Sequence, residues 1–194
     1  MSIHDIFKVP VYSTQLDLDI KKIQLLCNEH HQNNQGNFVS NVGGYQSYNL
    51  MYYPTDLRPL IDEIESHSNK FSEEFLSTKQ VLSNIWININ RYKDSNKSHF
   101  HAGADISGVY YVKTPDDCGK IAFEHPAIDV LDYYSTEPPK EFNEYNSQTW
   151  WKPAVENSLY LFPGWLKHHV EPNLNKTEER ISISFNTRQK VYPL

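Results

Sequence analysis

A chain of 194 residues, 39% hydrophobic and 22% charged, has the composition of one ordinary globular domain with a sizeable core, and no linker divides it. A formal charge of -6 without a basic cluster argues against binding nucleic acid through the phosphate backbone, and no apolar run is long enough to cross a membrane. Cys27 and Cys118 form neither a disulfide framework nor a metal-type spacing, and Met1 to Asp5 lacks the basic and apolar regions of a secretion signal, so the chain reads as cytoplasmic.

Phe7 to Tyr12 reads as a short strand, and Pro10 within it favours a sheet edge. Leu16, Ile20, Ile23 and Cys27 then recur at helical spacing, with Thr14 and Asp17 placed like a capping box, which predicts a first helix over about Asp17 to His31. A turn at Asn33 to Asn37 leads into an irregular aromatic stretch through Tyr45, Tyr48, Tyr52 and Tyr53. The second helix starts after Thr55 with Pro59 in its first turn, and Leu57, Leu60, Ile61, Ile64, Phe71 and Phe75 give it one apolar face. These two helices, within residues 14–77, are expected to cover the back of a sheet.

From Val81 helical spacing gives way to alternation: Ile85, Ile87 and Ile89 alternate with Trp86, Asn88 and Asn90, a strand with one apolar and one polar face. A polar inward face is what a binding cavity requires. Arg91 to Lys97 reads as a loop, Ser107 to Val112 as a strand, and Lys113 to Gly119 as a polar connection that makes a hairpin with the strand Lys120 to Glu124. Residues 126–149 hold Pro138-Pro139 and no glycine, and serve equally as a lid or a surface insertion. Strands follow at Thr149 to Lys152, Ser158 to Phe162, Trp165 to Glu171 and Arg180 to Thr187, with a tight turn at Pro163-Gly164. Helices first and about eight short strands afterwards predict a single α+β domain over 1–194. Its core, 81–188, is a double-stranded β-helix, or jelly roll, with the N-terminal helices on the outside of the major sheet.

The chemistry concentrates in three places. His99 and His101, two apart, face the same side if the segment is extended, so both imidazoles reach one point. His168 or His169, from a later strand, completes three nitrogen ligands on one side of a metal and leaves the other side open, as in catalytic rather than structural sites. Arg180 and Ser182 share a strand face, and a guanidinium there could hold a carboxylate. Each feature also has a plainer reading. The His-x-His pair could be hydrogen-bonded at the surface, Arg180 could pair with Glu178 or Glu171, Tyr111 could be a core tyrosine, and His125 reads as structural. Asp105 could supply a carboxylate ligand from the neighbouring loop, although its separation from His101 does not fit a strand. Asn88 and Asn90 are candidates to touch ligand or substrate.

The chain resembles the 2-oxoglutarate and Fe(II)-dependent oxygenases, specifically the small group found in bacteria and marine phages. The likeness lies in Asn84 to Asn88, in His99-Phe100-His101 followed by Ser107 to Val112, and in Gly119 to Glu124. It continues through Leu161 to Asn173 and Glu179 to Asn186, covering roughly residues 82–187. The resemblance implies that His99 is the first metal ligand and His168, in the pattern His-x-Val-x-Pro, the distal one. It implies that Arg180 pairs with the far carboxylate of 2-oxoglutarate, with Ser182 and Tyr111 donating further hydrogen bonds to it. The departure is His101, where most of the superfamily carries Asp or Glu; an imidazole there leaves the iron site one charge more positive. The implied activity is hydroxylation coupled to decarboxylation of 2-oxoglutarate to succinate, with no catalytic side chain beyond the metal ligands.

Two other readings remain open at this stage: a cupin-like dioxygenase using three histidines without 2-oxoglutarate, and a non-catalytic jelly-roll module that binds a peptide or sugar. The substrate, small molecule or peptide, has no code in the sequence. Its entrance is expected from the 33–53, 91–98 and 126–149 segments. The exposed helices and aromatics fit a homodimer.

Overall fold

The computed structural model describes residues 2–191 apart from 3, 5, 51, 53, 135, 136 and 138. Tyr53 and Pro138, singled out above, lie outside the described residues. In chain order the elements are β1 (Tyr12–Gln15), α1 (Ile20–Asn33), β2 (Asn41–Val42), β3 (Tyr45–Gln46), α2 (Arg58–Phe75), β4 (Gln80–Asn90) and β5 (Ser95–His99). They continue with β6 (Ile106–Lys113), β7 (Lys120–Glu124), α3 (Ile128–Tyr134), β8 (Thr149–Pro153), β9 (Ser158–Pro163), β10 (His168–Val170) and β11 (Arg180–Gln189). A six-stranded sheet has the order β1-β9-β6-β11-β4-β3, and a five-stranded sheet has the order β2-β5-β10-β7-β8; all ladders within them are antiparallel.

The period of two along each strand decides which layer a side chain enters. On β6, Tyr110 and Val112 join one core cluster while Val109 and Tyr111 join another; on β9, Leu159 and Leu161 separate from Tyr160 and Phe162 in the same way. Both strands are covered on both faces, and so read as near-continuous apolar runs rather than alternating ones. The first cluster holds Ile85, Ile87, Ile89, Ile181, Ile183 and Phe185 together with the helix residues Ile23, Cys27, Leu60, Ile61 and Ile64. The second adds Ile121 and Phe123 of the five-stranded sheet, with Leu166. Because β4 and β11 give their isoleucines and Phe185 to the first cluster, their alternate residues turn the other way. That is the side on which the candidate site forms.

Several expectations shift. The first helix begins at Ile20 and is capped by Asp19, whose carboxylate accepts from the Lys22 N–H at 3.1 Å; Thr14 belongs to β1, so the proposed capping box is not used. β1 starts at Tyr12, beyond Pro10, and takes the predicted edge position beside β9. β6 and β7 form no hairpin, because they lie in different sheets. The polar connection between them therefore crosses from one sheet to the other. Residues Ser95 to Lys97, read as loop, belong to β5, and the strand expected over Trp165 to Glu171 is confined to His168–Val170. Neither is legible locally, since both depend on partners distant in sequence. The 126–149 segment carries α3.

Candidate active site

β5 ends at His99 and β10 begins at His168, and these two residues are direct partners across the antiparallel pair. His101 follows just past the strand, where its backbone N–H donates to the Gly164 carbonyl at 2.8 Å and ties it to the turn before β10. The ring centroids of His99 and His168 are 4.4 Å apart, those of His99 and His101 5.0 Å, and those of His101 and His168 5.2 Å. One nitrogen from each ring lies within 4.8 Å of the others, a group that could hold a metal ion.

The tautomers follow from the partners. Nδ1 of His99 is 2.7 Å from the Lys97 carbonyl and Nδ1 of His168 is 2.9 Å from the Leu166 carbonyl. A carbonyl only accepts, so Nδ1 carries the proton in both rings and Nε2 keeps the lone pair a metal needs. Burial, reinforced by the neighbouring His99, holds His168 down to about 3 and His101 to about 4, from an ordinary value of 6.5. His99 is lowered mainly by burial, against the raising effect of the Lys97 carbonyl. The cluster is therefore neutral at pH 7.

Arg180, 1% exposed, opens β11 on the same cavity. Its Nη1 donates to the carbonyls of Cys118 and, at 3.2 Å, Glu171, while its Nη2 is buried without a partner. Burial lowers its pKa, against Tyr111 and Cys118, which raise it. Gly119 makes this approach possible: at φ +82° a Cβ would meet the Glu171 carbonyl at 2.6 Å and Arg180 Nη1 at 3.0 Å. Among the described residues Arg180 makes no salt bridge: Glu178 pairs with Lys113 at 3.3 Å, and Glu171 meets the guanidinium through its backbone carbonyl, its carboxylate acting only electrostatically. A small cavity, about 40 Å³, is lined by the three histidines together with Tyr111, Arg180 and Ser182.

A family described as "Putative 2OG-Fe(II) oxygenase" matches residues 84–186, just over half of the chain. The chain belongs to that family. This oxygenase is also similar in fold to a prolyl-4-hydroxylase of Pseudomonas putida, at 12% identity and a TM-score of 0.62, covering 94% of each chain. It is similar to the viral collagen prolyl hydroxylase of Paramecium Bursaria Chlorella virus-1, solved as a 2OG complex, at 12% identity and a TM-score of 0.58 over 93% of this chain and 96% of that one. HygX from Streptomyces hygroscopicus, solved with nickel and 2-oxoglutarate, shares 6% identity at a TM-score of 0.64, over 95% of this chain and 84% of that one. No curated protein matches the sequence. The fold of the oxygenase is thus a jelly roll of mainly antiparallel sheets with few helices.

The oxygenase's own residues fit the cofactors of its family, Fe(II) and 2-oxoglutarate. Three neutral imidazoles on one side suit a divalent transition metal, and an orphaned guanidinium nitrogen suits a carboxylate oxygen. His169 lies outside the cluster, its Nδ1 3.9 Å from the Glu124 carboxylate. Asp105 is held by the Gln189 N–H at 2.6 Å, so it does not complete the metal group. His125 accepts from the Ala127 N–H at 3.0 Å and lines a different cavity, with Phe123, Glu144 and Trp150. Asn88 and Asn90 do line the site, as do Ser40, Asn96 and Ser184, which sequence reasoning missed. Ser184 was within reach, being two residues beyond Ser182 on one face. Ser40 and Asn96 were not, because they meet only through the pairing of β2 with β5, where the Asn96 amide donates to Ser40 Oγ at 3.2 Å. Of the three segments expected at the entrance, the first two contribute Ser40 and Asn96; the described part of 126–149 lines the other cavity.

Proposed function

We propose that His99, His101 and His168 hold Fe(II), and that Arg180, Ser182 and Tyr111 hold the far carboxylate of 2-oxoglutarate in one cavity of a single domain. The observation that carries this reading is the buried, unpartnered Nη2 of Arg180 in the same cavity as the three imidazoles. In the proposed domain, 1–194, the helices within 14–77 back the outside of the six-stranded sheet and 81–188 forms the jelly-roll core. Iron with 2-oxoglutarate supplies oxidising power for hydroxylating an unactivated C–H bond, with succinate and carbon dioxide as co-products. The protein's share is positional. The carbonyls of Lys97 and Leu166 fix two imidazole tautomers, and Cys118 and Glu171 aim the guanidinium. No side-chain acid or base is required.

The proposed setting is the cytoplasm, with a small-molecule or peptide substrate, no nucleic-acid or membrane partner, and a homodimer as the assembly. Among the described residues no helix is long and apolar enough to cross a membrane. The deciding experiment is an anaerobic titration with Fe(II) and then 2-oxoglutarate, followed by air. A visible charge-transfer band and then succinate are expected. Metal binding without either band or succinate would move the reading to a three-histidine dioxygenase independent of 2-oxoglutarate. Indifference to Fe(II) would leave a binding module.

A further inference from the structure

The walls of the site cavity carry little fixed charge. Among the described residues that line it, Arg180 is the one fixed cation and there is no carboxylate. Outside the lining, the Asp94 and Glu171 carboxylates act on the Arg180 end and raise its pKa, although they accept from the Arg91 N–H at 2.7 Å and the Lys120 N–H at 3.1 Å; Asp105 accepts from the Gln189 N–H at 2.6 Å. With the metal and 2-oxoglutarate held as proposed above, on which this inference rests, the charges divide between the two ends of the cavity. At the Arg180 end the guanidinium would meet the far carboxylate, with Asp94 and Glu171 adding negative charge behind it. At the histidine end a divalent ion on three neutral rings would meet a single negative charge from the keto-acid group. There, beside the buried His168, one positive charge would stay uncompensated, and such a charge is costly unless an anion joins it.

The sheet indicates where that anion sits. Across β4 and β11 the inward residues form successive opposed pairs: Asn90 with Arg180, Asn88 with Ser182, and Trp86 with Ser184. Alternate residues advance by about 6.6 Å along a strand, so the Trp86–Ser184 pair lies farthest from Arg180. It is also beside the metal group, since the Trp86 ring is 5.7 Å from that of His101. The Asn88 amide donates to Ser184 Oγ at 3.0 Å, which occupies that oxygen as an acceptor and leaves its O–H to donate. We infer that the substrate carries an oxyanion, a carboxylate or a phosphate, seated beside the metal in the Trp86–Ser184 row.

The test is calorimetric, on the full chain loaded with Ni(II) and saturated with 2-oxoglutarate in chloride-free buffer, titrated with acetate, methyl phosphate, acetamide or chloride. The tighter of the two oxyanions is expected to bind about tenfold or more better than acetamide and chloride, and its identity names the group. Ser184→Ala should lose most of that preference while still binding Ni(II) and 2-oxoglutarate. His101→Asp, which restores the missing negative charge, should abolish it. Equal affinity for acetate, methyl phosphate and acetamide, or chloride as the tightest titrant, overturns the inference. So does an undiminished preference in Ser184→Ala. If Ni(II) or 2-oxoglutarate fails to bind the unmodified chain, the cofactor assignment itself is wrong and this inference falls with it.

Discussion

At the scale of single side chains the candidate site holds a guanidinium with one nitrogen unmatched and imidazoles kept neutral by burial. Arg180→Ala should therefore weaken 2-oxoglutarate binding by about 2–5 kcal/mol, the range for losing one partner of a buried charged pair, while iron content stays near that of the unmodified protein. Equal loss of iron in a metal assay would refute the assigned role. The imidazoles predict a pH dependence for the metal-free protein. The unfolded chain takes up these protons near 6.5, whereas folded His101 waits until about 4 and folded His168 until about 3. Below 6.5 the unfolded state thus binds more protons. The stability is fully present above 6.5 and is lost as pH falls toward 3, by on the order of a few kcal/mol. Urea titrations of metal-free protein between pH 7.5 and 4.5 should show the midpoint falling, and a flat profile would rule out buried neutral rings.

At the scale of elements, the candidate site is assembled by short connections that bring strands of different sheets together. The turn after β9 carries the chain out of the six-stranded sheet to β10 in the five-stranded one, closing with the Leu166 N–H on the Pro163 carbonyl at 2.9 Å. It places His168 opposite His99 and, through Gly164, anchors His101. The β6–β7 connection does the same for Arg180, because Cys118 and Gly119 bring a carbonyl onto the guanidinium. Gly119→Ala should cost at least about 1–2 kcal/mol from the left-handed backbone alone, with the clash against the Glu171 and Pro172 carbonyls added. Thermal melting reads the loss, and 2-oxoglutarate affinity should fall with it as Arg180 is displaced. An alanine variant with unchanged melting and affinity would show that this close approach is not needed.

In the whole molecule the site sits between two sheets, so ligands that bind only the folded state should stabilise the entire domain. Ni(II) at 100 times its dissociation constant should contribute about 2.7 kcal/mol, seen as a higher melting temperature, with 2-oxoglutarate adding a further increment only when metal is present. An increment independent of metal would contradict shared occupancy of one cavity. Much of this was legible in the chain because it is written locally. The alternation Ile85-Trp86-Ile87-Asn88-Ile89-Asn90 assigns one face of β4 to core and the other to a cavity, and the Arg180-x-Ser182 spacing does the same for β11. The helical faces of α1 and α2 were equally plain, since a period of 3.6 needs no distant partner. Left to the tertiary structure were the grouping of His168, rather than His169, with His99 and His101, the engagement of Asp105 elsewhere, the unmatched nitrogen of Arg180, and the entry of Ser40 and Asn96 into the site. The reason is physical: periodicity records which way a side chain points, whereas register between strands far apart in sequence determines what it meets there.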